Sequence, residues 1–329
     1  MRGLFWNVAM TGVLLAVGVA RGAEAKPPTR EEAIKLALAA IDKQIADHGG
    51  SAVQWGESLK GYREAVAKAT AGQWPWPAKQ NFVYQGKEVA VMKRDTLDND
   101  PPDKRPFDAI LAVHKKLKEQ GVDLIFVPLP DKLAIYPDYL SDAAPADRMV
   151  HVSVAHLMKK LLENDVECID LYTPFHEARR KNEDAPLYYS KDSHWRNIGA
   201  QLAGEIVAQR LQRYDFVQKA LAEGNRYAAE PGKRADGDPL RVVVDAKTKA
   251  KYADDPKSPI LITGDSNLMY NWPAGAAHMP AQIGLNIGMP LAFAPNTIPS
   301  QHYEKVAGKK VVIWANIARC LDGLAFPQK

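Results

Sequence analysis

The chain has 329 residues, of which 46% are hydrophobic, 25% charged and 8% aromatic, with 22 Gly and 23 Pro. These values exclude a disordered chain, a collagen and a disulfide-packed miniprotein, and they leave room for one large domain with an appendage or for two domains. Lys plus Arg number 43 against 39 for Asp plus Glu, a net charge of only +4 with no block of like charges. That balance argues against a dedicated nucleic-acid binder, which carries a dense basic face.

Residues 1–25 open on Met-Arg, continue through an apolar run about Val13 to Val17, and close on Ala23-Glu24-Ala25. Basic start, short apolar core and small-x-small ending define a secretory signal peptide, so the expectation is a periplasmic or secreted protein beginning near residue 26. An uncleaved anchor fits less well, because Leu4 to Ala20 is short for a span and includes Asn7 and Thr11. Nothing later is long and apolar enough to cross a bilayer, and an integral membrane protein is not expected. Cys168 and Cys320 are the only cysteines. An oxidising compartment permits them to pair, and their apolar surroundings equally suit two buried thiols.

Residues 26–75 read as an N-terminal helical segment. Thr29-Arg30-Glu31-Glu32 has capping-box order, and Ile34, Leu38, Ile41 and Ile45 follow on one stripe. Gly49-Gly50 stops that helix, and Trp55, Leu59, Tyr62 and Val66 form a second stripe, giving a helical hairpin. Trp74-Pro75-Trp76-Pro77 breaks the period and reads as the join to a main domain over 76–329. The two tryptophans suit either a buried join or stacking on sugar rings.

From there, apolar runs at 122–127, 166–171, 259–263 and 310–317 alternate with helical stretches at 106–119 and 150–163. Runs apolar on both faces, separated by helices, predict an α/β fold with a mostly parallel sheet covered on both sides. Residues 223–257 include a stretch rich in Gly, Pro and charge, and are expected to be a polar surface insertion.

Two stretches carry chemistry. Ile260 to Gly264 is a buried strand ending in Asp265-Ser266-Asn267. Ligands of parallel sheets bind beyond the carboxyl ends of strands, so Ser266 stands where a reactive hydroxyl belongs. A serine is a weak nucleophile without a base, and Asp192-Ser193-His194-Trp195 supplies a carboxylate and an imidazole two residues apart. Asn197 is read as the cap of the helix that pins this loop, with Trp195 as packing. Each motif alone has a plainer reading, a turn after a strand or a helix cap. A third option makes Asp192 and His194 metal ligands with His176 or His302, but no pair shows helical i, i+4 ligand spacing.

The Asp-Ser-His-Trp followed by Asn-Ile-Gly-Ala, the later Gly-Asp-Ser-Asn, the Pro-Leu-Pro-Asp-Lys with Tyr-Pro shortly after, and the closing Val-Val-Ile-Trp-Ala-Asn-Ile-Ala-Arg resemble the SGNH-hydrolase-like domain of the AlgX/AlgJ alginate O-acetyltransferase family. The resemblance runs as scattered blocks over about residues 105–325, with Asp and His ahead of the serine, as in that family. It implies a three-layer SGNH-like fold in which Ser266 is nucleophile, His194 the acid/base and Asp192 its orienting partner. No cofactor is implied. Lys132 and Tyr136, in the matching blocks, are candidates for the substrate side, against a plainer reading as a solvated lysine and a packed tyrosine. Arg319 is a candidate for a polymer carboxylate or, preferred, for an acidic neighbour. Oxyanion donors are sought at the Ser266 amide, Asn267, Gly284 and Asn286. The implied partners are a polysaccharide acceptor and a membrane-bound O-acyltransferase that supplies acetyl. The same residues serve an acetylesterase, and a catalytically silent glycan-binding subunit is the alternative from another class.

Overall fold

The computed structural model describes residues 27–72, 75–182, 185–270, 277–301 and 303–321. The signal-peptide reading and Trp74 lie outside them. Thr29 closes the expected capping box on α1 (Arg30–Asp47), its hydroxyl accepting from the Glu32 amide while the Glu32 carboxylate accepts from the Thr29 amide. The second expected helix is two, α2 (Ala52–Ser58) and α3 (Lys60–Ala69), meeting at Leu59. Their stripe residues Trp55, Leu59, Tyr62 and Val66 are buried in the same core as the sheet. The hairpin is therefore packed into the body of the protein, and Trp76 joins it there half-buried.

The chain continues through α4 (Gly86–Met92), α5 (Pro106–Glu119), β1 (Asp123–Leu129), α6 (Lys132–Ile135), α7 (Pro137–Leu140), α8 (Val152–Glu163), β2 (Glu167–Cys168) and α9 (Tyr172–Lys181). Then come α10 (Asn197–Leu211), α11 (Asp215–Ala222), β3 (Tyr227–Lys233), β4 (Pro239–Asp245), β5 (Ile260–Gly264), α12 (Met279–Ile287), β6 (Ala292–Pro295), α13 (Tyr303–Val306) and β7 (Val311–Ile317). β1, β2, β5, β6 and β7 make one parallel sheet in the order β2-β1-β7-β5-β6. β7 and β5 are buried at every position, which is why they read as unbroken apolar runs. The run at 166–171 pairs for only two residues, since Ile169 onward turns into α9.

The chain steps from β1 to β2 in one direction and from β5 to β6 in the other. Right-handed crossovers then put α8 and α12 on opposite faces, giving three layers. α1 and α5 pack with α8, and α10 packs with α12. The direction reverses around β7, so the carboxyl ends of β1, β7 and β5 lie side by side at the switch point. Just past those ends stand Asp131 and Lys132, Arg319, and Asp265 and Ser266.

Within residues 223–257, expected as a polar surface insertion, part of the chain is regular strand. β3 and β4 form an antiparallel ribbon that packs on α10 and α12, with Tyr227, Val243 and Tyr252 buried against Ala281. Along β3 every second residue from Ala229 to Lys233 is exposed, the pattern of a strand with one wet face. Cys168 on β2 and Cys320 after β7 are free thiols, and burial pushes both thiol pKa values up.

Candidate active site

The turn that carries Ser266 is held by the residues on either side of it. Gly264 lies so close to β7 that a Cβ there would sit 1.7 Å from the Ala315 carbonyl oxygen, so no larger residue fits. Asp265 then caps the short 3₁₀ turn Ser266–Leu268: one carboxylate oxygen accepts from the Asn267 amide at 2.8 Å and from Asn267 Nδ2 at 2.7 Å. Its other oxygen accepts from the Ile317 amide. The serine is thereby fixed to β7 by a side chain that the sequence reading passed over.

Asp192 and His194 come from a closed loop. Tyr188 and Trp195 form a β-bridge, and the Tyr189 amide donates to the His194 carbonyl. Asp192 Oδ1 accepts both from the His194 amide at 2.9 Å and from His194 Nδ1 at 2.6 Å. His194 Nε2 stands 2.9 Å from Ser266 Oγ. Trp195, fully buried, donates from Nε1 to the Asn267 carbonyl at 3.1 Å, tying the histidine loop directly to the serine turn. Asp192, His194 and Ser266 are each only partly buried, so the hydroxyl is open to a reactant.

Tyr270, one turn after the serine, was not anticipated. Its ring stacks on His194 with centroids 4.3 Å apart and 10° between planes, and its hydroxyl donates to Asp192 Oδ2 at 2.9 Å. The bonds from His194 and, with smaller effect, from Tyr270 hold the Asp192 carboxyl well below the usual carboxylate range. Burial and the Asp192 bond push the Tyr270 phenol up. Tyr270 follows a three-residue 3₁₀ turn, not an α-helix, so no helical spacing in the chain pointed to it. The β3–β4 ribbon also reaches this site: Asp238 accepts from Tyr189 Oη at 2.6 Å and from Arg196 Nε at 2.9 Å, and the Arg234 guanidinium lies over the rings of Tyr189 and Tyr270.

Several expected site residues have other work. Lys132 is fully buried; its ammonium donates to the carbonyls of Tyr189, Ser190 and Asp192, so it lies behind the loop and neither on the substrate side nor in solvent. Tyr136 is buried too, its hydroxyl accepting from the Leu187 amide at 2.9 Å. Arg319 pairs with Glu88 at 3.8 Å and donates to Ser193 Oγ at 3.2 Å. The Asn267 amide groups are committed to Asp265. Gly284 and Asn286 lie on α12, the glycine against Tyr252 and the Asn286 Nδ2 donating to the Gln282 carbonyl, contacts that serve packing of that helix. Asn197 is not a cap: it is the first residue of α10, buried, with Nδ2 donating to the Ala277 carbonyl and Oδ1 accepting from the Arg241 amide. His176 is buried on α9, and His302 lies outside the described residues.

Beneath the loop, Glu88 and Asp131 are fully buried, and burial raises their carboxyl pKa values to about 8 and about 7, while burial lowers Lys132 to about 8. Leu133 donates its amide to Glu88, and Ala134 donates to Asp131.

A family model described as "SGNH hydrolase-like domain, acetyltransferase AlgX" matches residues 83–267, a span that includes Asp192, His194 and Ser266. Among curated proteins, the probable alginate O-acetylase AlgJ of Pseudomonas fluorescens is 26% identical over 136 residues, 40% of this chain and 32% of that protein. The Pseudomonas putida protein of the same name is 22% identical over 147 residues, 44% of this chain and 32% of its own length. The matched part is thus about a third of the curated relatives. Among solved structures, the O-acetyltransferase domain of Pseudomonas putida AlgJ superposes with a TM-score of 0.54 at 16% identity, covering 76% of this chain and 93% of that one. At that identity the likeness shows the SGNH-like fold.

Proposed function

Since the chain belongs to the family of the SGNH hydrolase-like domain of acetyltransferase AlgX, we propose that it is an exported O-acetyltransferase. It moves an acetyl group through an acetyl-serine onto hydroxyls of an alginate-like exported or cell-envelope polysaccharide. One observation carries the reading: a single imidazole bridges a carboxylate at 2.6 Å and a half-buried serine hydroxyl at 2.9 Å. Those are the contacts a general base needs on both of its nitrogens. The curated relatives' printed name, probable alginate O-acetylase, supports the group transferred and the acceptor class.

In the first half-reaction Ser266 Oγ attacks the acetyl carbonyl carbon as His194 Nε2 takes its proton, and Asp192 stabilises the imidazolium. The donor's leaving group departs with that proton, leaving an acetyl ester on Ser266. In the second, His194 takes a proton from a sugar hydroxyl whose oxygen attacks the acetyl carbon; Oγ leaves and recovers the proton. The Ser266 amide, at the start of its turn, is the donor we assign to the oxyanion, since the Asn267 amide is already spent on Asp265. Acetyl arrives from a membrane-bound O-acyltransferase outside the cytoplasm, in keeping with the signal-peptide reading of residues 1–25.

The test uses the chain without residues 1–25, an activated acetyl ester, and uronate oligosaccharides as acceptors, with products read by mass spectrometry. Acetylated sugar supports transfer, whereas free acetate alone favours an esterase. Ser266→Ala should lower both by at least about 10³-fold. Wild-type turnover in that variant would leave only a binding role.

A further inference from the structure

Among the described residues, Lys132 is the one buried lysine whose three donors converge on a single loop, and that loop is the one holding Asp192 and His194. Its ammonium lies 2.9 Å from the Tyr189 carbonyl oxygen, 2.9 Å from that of Ser190 and 2.7 Å from that of Asp192. An ammonium has three N–H donors and no acceptor, so its capacity is used in full. The loop in turn points three carbonyl dipoles at one place. Without a cation there, the like ends of these dipoles repel, and the carbonyl oxygens of Tyr189 and Asp192 lose the partner that Lys132 gives them.

The surroundings show a built device. Lys132 follows the carboxyl end of β1, and Arg319, which follows that of β7, holds Ser193 of the same loop. Glu88, on α4, pairs with Arg319 at 3.8 Å and accepts the amide of Leu133, the residue after Lys132, at 3.0 Å. The rings of Phe82 and Tyr84 lie 5.1 and 5.7 Å from the ammonium and close its remaining side. The loop therefore rests on two cations delivered by the adjacent central strands, while its exposed rim carries the imidazole.

We infer that Lys132 is a positioning residue for the proposed reaction: its ammonium gathers the carbonyls of Tyr189, Ser190 and Asp192 and so sets the Asp192–His194 pair against Ser266. This inference rests on the acetyl-transfer reading. A point donor with three rotatable N–H groups fits a three-carbonyl nest, and a planar guanidinium does not, so arginine cannot replace it.

The experiment compares Lys132→Met, Lys132→Arg and the double variant Lys132→Met with Glu88→Gln, in which position 88 stays neutral at every pH once the lysine is gone. Steady-state turnover of an activated acetyl ester is read together with the far-downfield proton NMR signal of the His194 Nδ1–H bonded to Asp192. We expect each variant that folds, as judged by circular dichroism, to lose about 100-fold or more in kcat with KM within about twofold, because a misplaced base costs chemistry and not binding. The downfield signal should shift or vanish in the same variants and persist in Ser266→Ala. Wild-type kcat with an unchanged signal in the folded double variant overturns the inference, and so does full restoration by Lys132→Arg, which would mean that charge alone matters. If instead Ser266→Ala keeps its turnover, the acetyl-transfer reading fails, and the clamp is still judged by the NMR signal.

Discussion

A carboxylate that orients an imidazole has a second oxygen to satisfy, and here Tyr270 supplies the donor at 2.9 Å while its ring lies flat against His194. The two contacts separate cleanly by substitution, since Tyr270→Phe removes the hydroxyl and leaves the stack. A hydrogen bond to a charged acceptor contributes about 1.5–3 kcal/mol, and the lower end applies because Asp192 is more than a third exposed. Tyr270→Phe should therefore lower kcat about tenfold with KM nearly unchanged, while the Asp192 carboxyl moves up toward its ordinary range in a carbon-13 NMR titration. A hundredfold loss, or no loss, would mean that the hydroxyl acts on something other than Asp192. The contacts among Asp192, His194 and Ser266 were legible in the chain because the proposed roles require those residue types. Tyr270 was not, since an aromatic beside an apolar turn reads as packing, and Lys132 was misread because three backbone carbonyls leave no mark in a sequence.

Among the elements, the turn between β5 and its 3₁₀ cap decides where Ser266 sits, and Gly264 decides the turn. A methyl group there meets the Ala315 carbonyl oxygen at 1.7 Å, and backbone of a central strand cannot yield. Gly264→Ala should destabilise the protein by more than about 2 kcal/mol, read as a lower urea midpoint, and should cost activity beyond that by moving Ser266 from His194. The neighbouring Asp265 cap explains why both must fail together: the same carboxylate binds the turn and β7. Strands were legible where both faces are buried, as in β1, β5 and β7, whose apolar runs leave one interpretation. The β3–β4 ribbon was not. Pro231 and Gly232 lie inside β3, and its alternate residues are exposed, so the composition of a loop covers the geometry of a strand pair. The start of α10 was misassigned for a related reason: Asn197 has cap chemistry, but its side chain is recruited by the Ala277 carbonyl and the Arg241 amide from distant segments.

For the whole molecule, buried ionisable groups set opposing dependences of stability on pH. His151, His176 and His278 are buried, and burial lowers each to about 3 from an ordinary 6.5. Between those values the unfolded chain binds more protons than the folded one, so stability rises with pH and is lost on acidification. Glu88 and Asp131 act in reverse. Burial raises them to about 8 and about 7 from 4.5 and 3.8, so the folded state holds the extra protons and stability falls as pH rises through that interval. From about pH 4 to 6.5 the two groups oppose one another; below it the histidines act, joined by the depressed Asp192, and above it the carboxyls act alone. Urea midpoints should accordingly pass through a broad maximum on the acid side of neutrality, with a steep fall below about pH 4 and a shallower one from about pH 6.5 to 8. Glu88→Gln should flatten the second decline, because an amide carries no proton to lose, and His151→Gln should soften the first. A midpoint that climbs steadily from pH 4 to 8 would mean that Glu88 and Asp131 are ionised in the folded protein, held so by Arg319 and Lys132. The cluster beneath the histidine loop would then carry its full charge at neutral pH.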